Sequence, residues 1–127
     1  MNKAALKNKA CEHIDQRRDE MIAIARRMLK HPELGYREAK TAAMVKEELQ
    51  KLKLPIREGL ALTGVEGTLA GKEAGPTVVV MGELDSVMEK TSPLADPVTG
   101  AAHLCGHHIQ VASMLGAAMG LVGGGIA

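Results

Sequence analysis

A chain of 127 residues with 46% apolar content can bury one small core and leaves little for a second domain. It has no Trp, no Phe and a single Tyr, and 16 Lys and Arg against 15 Asp and Glu leave a formal charge of +1, which excludes the basic, base-stacking footprint of a nucleic-acid binder. No stretch approaches the roughly 20 apolar residues that span a bilayer, and the first residues lack a signal-like apolar run, so a cytoplasmic protein without a membrane partner is expected.

Between residues 3 and 29, apolar residues recur at Ala10, Ile14, Met21, Ile24, Ala25 and Met28 on a charged background, which predicts one long amphipathic helix. Pro32 and Gly35 then break the pattern, and helical spacing returns over residues 39–52 through Ala42, Ala43, Met44, Val45 and Leu49. IREGLALTGVEGTLAG, with Val65, Gly67 and Leu69 alternating, reads as short strands. TVVVM, residues 77–81, is the strongest strand signal: a β-branched run of the kind buried on both faces of a sheet, stopping at Glu83, Asp85 and Ser86. Residues 88–104, with Pro93, Pro97 and Gly100, read as a loop, and residues 109–122 as a helix of small residues suited to close packing. This order predicts an α/β fold, a mixed sheet flanked by helices, with its ligand site beyond the carboxyl ends of the strands, where GELDS and HLCGHH both fall.

HLCGHHIQ, residues 103–110, places one thiol and three imidazoles within eight positions. Cys105 and His107 flank a single glycine, and a thiolate with an imidazole is a donor pair that favours zinc among biological cations. A zinc site needs at least three protein ligands, and neither His103 nor His108 need point the same way. An isolated Cys or His is commonly a packed or surface residue, and His13, His31 and Cys11 are read so; with Cys105, Cys11 is not expected to form a disulfide in a reducing compartment. Glu83 and Asp85 either orient an imidazole or bind a cation, or else are solvated strand-end carboxylates; composition leaves both readings open.

Four blocks in order, HPELGYREAKTAAMVKEEL, GVEGTLAG, PTVVVMGELDSV and AAHLCGHHIQVASMLGAA, resemble the N-terminal part of the two-metal amidohydrolase and metallopeptidase family, which includes aminoacylases, hippurate hydrolase, indole-acetyl-amino-acid hydrolases and aminobenzoyl-glutamate hydrolases. The resemblance runs from residue 31 to residue 121. It implies that residues 1–127 are the N-terminal portion of a zinc-peptidase-like catalytic domain, without the dimerisation and lid domain. It further implies that Cys105 and His107 are metal ligands and that Asp85, the second acid of an Asp-x-Asp strand end, is the candidate catalytic residue, supporting them. Glu83 stands where many relatives have the first Asp. The commoner motif reads His-x-Cys-Gly-His-Asp-x-His, whereas this chain has His108 in place of the Asp and Gln110 in place of the last His. That change spares the implied ligands and bears on substrate preference.

The cofactors implied are two divalent metal ions, zinc first, with manganese, cobalt or nickel as alternatives. The activity implied is hydrolysis of the amide bond of an N-acyl amino acid or small peptide by a longer, homo-oligomeric parent. The paired glutamates and later histidines of such enzymes are not found before Ala127, so the chain resembles the first third of one and is expected to be inactive alone. The competing expectation is a metal-binding or interaction module that pairs with a separate chain through a sheet edge near Val122.

Overall fold

The computed structural model describes residues 2–126. Its elements run α1 (Lys3–Gln16), α2 (Arg18–Lys30), α3 (Ala39–Lys51), β1 (Ile56–Leu60), β2 (Gly64–Gly67), β3 (Val87–Met88), β4 (Ala101–Ala102) and α4 (His107–Gly123). The α/β class expected from the sequence holds, as four helices with small antiparallel sheets.

The one long helix expected at the start is two. Asn2 caps α1 by accepting from the backbone of Ala5 at 2.9 Å, and the helix ends at Arg17, whose φ of −105° and ψ of 16° leave the helical region. Apolar periodicity carries across this break, but the local chemistry favours a fresh start. Arg17 donates from Nε and Nη2 to Glu20 at 2.7 and 2.6 Å, and Asp19 and Glu20 place negative charge on the first turn of α2. The bend lets α1 and α2 both lie against α4.

The core is aliphatic and rich in Met: Ile24 and Met28 from α2, Met44, Val45 and Leu49 from α3, and Val111, Leu115 and Met119 from α4. α4 approaches α1 and α2 closely because Gly116 faces Met21 and Gly120 faces Ala10 and Ile14. On the other side α3 packs on the β1–β2 hairpin, in which Ile56 pairs with Gly67 and Glu58 with Val65, before a bulge at Gly59.

The turn between α2 and α3 is tied by Glu33. Its carboxylate accepts from the backbone of Lys40 and Thr41 at 3.1 and 2.7 Å and from the Thr41 hydroxyl at 2.8 Å, satisfying amides that the first turn of α3 leaves free. Its carbonyl accepts from both the backbone N–H and the hydroxyl of Ser86, each at 2.8 Å, beside a parallel bridge between Leu34 and Ser86.

The largest departure from expectation is TVVVM. Residues 76–85 belong to no sheet, and Val78, Val79 and Met81 are 80%, 71% and 82% exposed, not buried on two faces. A strand needs a neighbour to take its N–H and C=O groups, and among the described residues none lies alongside. The loop expected over residues 88–104 contains a two-residue pairing, Val87 with Ala102 and Met88 with Ala101, too short to carry a sequence period. α4 begins two residues before the predicted start, directly after Gly106, which is left-handed at φ 85°, and it runs through Val122, so the sheet edge expected there is helix instead.

Candidate functional site

Two anchors position the carboxylates that end the extended segment. Gly82 lies against the backbone of Val111, where a Cβ would come within 3.1 Å of the Val111 Cα, and Ser86 is held by the Glu33 carbonyl. Glu83, Leu84 and Asp85 are thereby laid along the start of α4, whose first residue is His107.

His107 sits between the two acids. Its Nδ1 is 2.9 Å from the backbone carbonyl of Asp85 and 3.0 Å from Asp85 Oδ1, while Nε2 is 3.0 Å from Glu83 Oε2. Both groups facing Nδ1 accept only, so Nδ1 carries a proton and donates to them, while Nε2 faces the Glu83 carboxylate. A carboxylate and a carbonyl on the far nitrogen are the usual setting of a metal-bound imidazole. Asp85 and His107, separated by 22 residues in the chain, are thus brought together, which corresponds to one of the two readings that composition leaves open.

Cys105 is exposed on the turn before Gly106 and forms no disulfide. Among the described residues, no three His, Cys, Asp or Glu converge to hold an ion. The donor chemistry fits a divalent cation along one edge, with His107 Nε2 beside a carboxylate and a free thiol on the adjoining turn, but the edge is open and needs ligands from elsewhere to close.

Two features were not legible beforehand. Gln110 clasps Glu83 by two bonds: Gln110 Oε1 accepts from the Glu83 backbone at 3.1 Å, and Gln110 Nε2 donates to Glu83 Oε2 at 3.2 Å. The departures at positions 83 and 110 could have been read as a pair. Behind them, His103 and His108 face each other with ring centroids 5.2 Å apart. His103 is 4% exposed, both its ring nitrogens and Nδ1 of His108 lack partners, and burial, with the neighbouring His108 and His107, pushes His103 down to about 4.

The chain is 34% identical over 121 residues to a Bacillus subtilis protein named as an amidohydrolase, YhaA, a match covering 93% of this chain and 31% of that protein. It is 39% identical over 108 residues to thermostable carboxypeptidase 2 of Saccharolobus solfataricus, covering 82% of the chain and 28% of the relative. It is 35% identical over 102 residues to the N-acetyl-L-cysteine deacetylase of Bacillus subtilis, covering 78% and 24%. The chain belongs to this amidohydrolase and carboxypeptidase family. It spans about a quarter to a third of the length of these amidohydrolase relatives. No family model matches the chain, and no solved structure matches it. Among the described residues no helix is long and apolar enough to cross a membrane.

Proposed function

We propose that this chain is the N-terminal part of the catalytic domain of a metal-dependent amidohydrolase, acting on the amide bond of an N-acyl amino acid or a small peptide. The single observation that carries the reading is the setting of His107, with Nδ1 held by Asp85 and Nε2 facing Glu83, in a chain whose relatives are named as an amidohydrolase, a carboxypeptidase and a deacetylase. Amide hydrolysis is common to those last two names, and the differing acyl and amino parts leave the substrate class broad.

In this reading Cys105 and His107 are ligands and Asp85 keeps the imidazole in the required tautomer. Metal ions, zinc first, would lower the pKa of a bound water and polarise the amide carbonyl. The remaining ligands and a general base come from the rest of a longer protein, which we place in the cytoplasm because both cysteines are free. The isolated 127 residues therefore bind a cation weakly and do not turn over.

A second reading, a module that pairs with a separately made chain, is favoured by one observation: the exposed, unpaired segment at residues 76–85. The two are separated by the mass of the native protein and by hydrolysis of N-acetyl amino acids and dipeptides. A long single chain, active as isolated and silenced by His107→Ala or Cys105→Ser, supports the first reading. Activity that appears only on mixing two chains supports the second, and hydrolysis by the 127 residues alone overturns both.

A further inference from the structure

The turn between α2 and α3 holds a residue in a conformation that does not suit it. The Arg37 N–H donates to the Leu34 carbonyl at 3.0 Å, closing a four-residue turn whose two central residues are Gly35 and Tyr36. Tyr36 has a φ of 61°, in the left-handed region where a side chain crowds the backbone, and a turn with positive φ at its third residue ordinarily has Gly there. Here the glycine stands one position too early. The other non-glycine residues with positive φ have local reasons: Lys53 follows the end of α3, and Ala61 and Leu62 turn the β1–β2 hairpin. Burial does not offset the strain at Tyr36, which is 73% exposed and is the only Phe, Trp or Tyr in the chain.

This turn is built onto the candidate site. The Glu33 carbonyl receives Ser86, Leu34 bridges Ser86 in parallel, and a Cβ on Gly35 would stand 4.0 Å from the Asp85 Cβ. Asp85 in turn meets the His107 ring through its carbonyl at 2.9 Å. The Tyr36 ring is thereby presented to solvent one residue from the point where the turn touches Asp85. Strained residues held by well-tied neighbours gather at ligand sites, and a large ring with a polar tip is suited to covering the apolar part of a small ligand.

We propose that Tyr36 is a specificity-determining residue, its ring packing against the apolar acyl group or side chain of an N-acyl amino acid or small peptide. This inference rests on the reading of the edge formed by Asp85 and His107 as part of an amide-hydrolysing site, and it adds a residue outside that set. The ring supplies apolar contact and no group that takes part in bond cleavage, so it acts on substrate choice and binding and not on the chemical step.

The test is made on the full-length native protein, with kcat/KM measured on two small substrates, N-acetylalanine and alanylalanine, and three bulky ones, N-benzoylalanine, N-acetylphenylalanine and alanylphenylalanine. Tyr36→Ala and Tyr36→Gly are expected to lower kcat/KM about tenfold on at least one bulky substrate, mostly through KM, and to change the small ones by less than about threefold. Tyr36→Phe is expected to keep the wild-type preference. Tyr36→Gly also removes the backbone strain, so its urea midpoint is expected to hold or rise. Equal losses on all substrates, or a Tyr36→Gly midpoint well below that of the wild type, overturn the inference, because the ring would then be packed within the longer protein. Unchanged kinetics throughout overturn it as well. If His107→Ala still abolishes hydrolysis in those cases, the amidohydrolase reading stands without this residue. A wild-type protein that hydrolyses none of the five brings down that reading and the inference together.

Discussion

The carbonyl oxygen of Ala10 lies 2.9 Å from the place where a Cβ on Gly120 would stand, so α1 and α4 meet at a point where no side chain fits. Ala is worth about 1 kcal/mol more than Gly inside a helix, but the obstacle here is backbone, and overpacking costs about 1–3 kcal/mol. Gly120→Ala is therefore expected to lower stability by about 1 kcal/mol or more, read by urea denaturation. Gly116→Ala meets instead the sulfur of Met21, the movable end of a flexible side chain, and is expected to cost less or to stabilise. Equal losses at the two positions would show that the helices do not meet as described.

Residues 76–85 make a prediction of the opposite kind. Val79→Lys in a buried central strand would be ruinous; at 71% exposure it is expected to change the stability of this chain by less than about 0.5 kcal/mol. Its effect should appear in self-association, measured by light scattering, because a charge on a bare apolar segment hinders edge pairing. A loss of several kcal/mol on Val79→Lys would mean that the segment is buried in solution.

Cys11 and Cys105 are both exposed and free, so a thiol reagent should titrate two groups per folded chain. If Cys105 is a ligand, cobalt or zinc should slow the reaction of one thiol about tenfold or more and leave the other unchanged, and Cys105→Ser should remove the protected fraction. Protection of neither thiol at saturating metal argues against the thiolate ligand.

At the bend between α1 and α2, the Arg17 guanidinium, through its hydrogen bonds, holds the Glu20 carboxyl below the usual value of 4.5. The folded chain then binds this proton less readily than the unfolded one, so the contribution is present above 4.5 and is lost as pH falls through the folded value. The pair is about one-third exposed on each side, and solvent screening reduces its worth to a few tenths of a kcal/mol. Arg17→Ala should lower stability by those few tenths near neutrality, have no effect once the pH has fallen below the folded value, and so flatten the profile slightly in the acid range between, as followed by thermal melts. A larger loss at neutral pH would assign Arg17 a packing role.

Much of this architecture was legible because burial imposes a period. Met44, Val45 and Leu49 recur at helical spacing and do fill the core, and Val65 with Gly67 does lie in a strand against α3. TVVVM shows the limit of that signal: β-branched residues report a demand for burial, while the neighbour that would satisfy it is a matter of tertiary supply. The bend at Arg17 was hidden because the same apolar face continues on both sides of it. Cys105 and His107 stood out by residue type and place, Asp85 by the resemblance, and the contact between His107 and Asp85 forms where the unpaired segment before Ser86 meets the start of α4. The Gln110 clasp depends on how far two side chains reach across 27 residues of chain, which no local pattern encodes.

The Glu33 carbonyl that receives Ser86 has a consequence for order of assembly. Its carboxylate closes on Thr41 across 8 residues, a local step, whereas its carbonyl closes on Ser86 across 53. The longer closure costs more chain entropy, though only logarithmically, and must wait for α3 and the hairpin between to stop competing for space. Asp85 is carried by that closure, so its place beside His107 depends on the longer step. On this geometry the helices can be native before the Asp85 carbonyl has met the His107 ring.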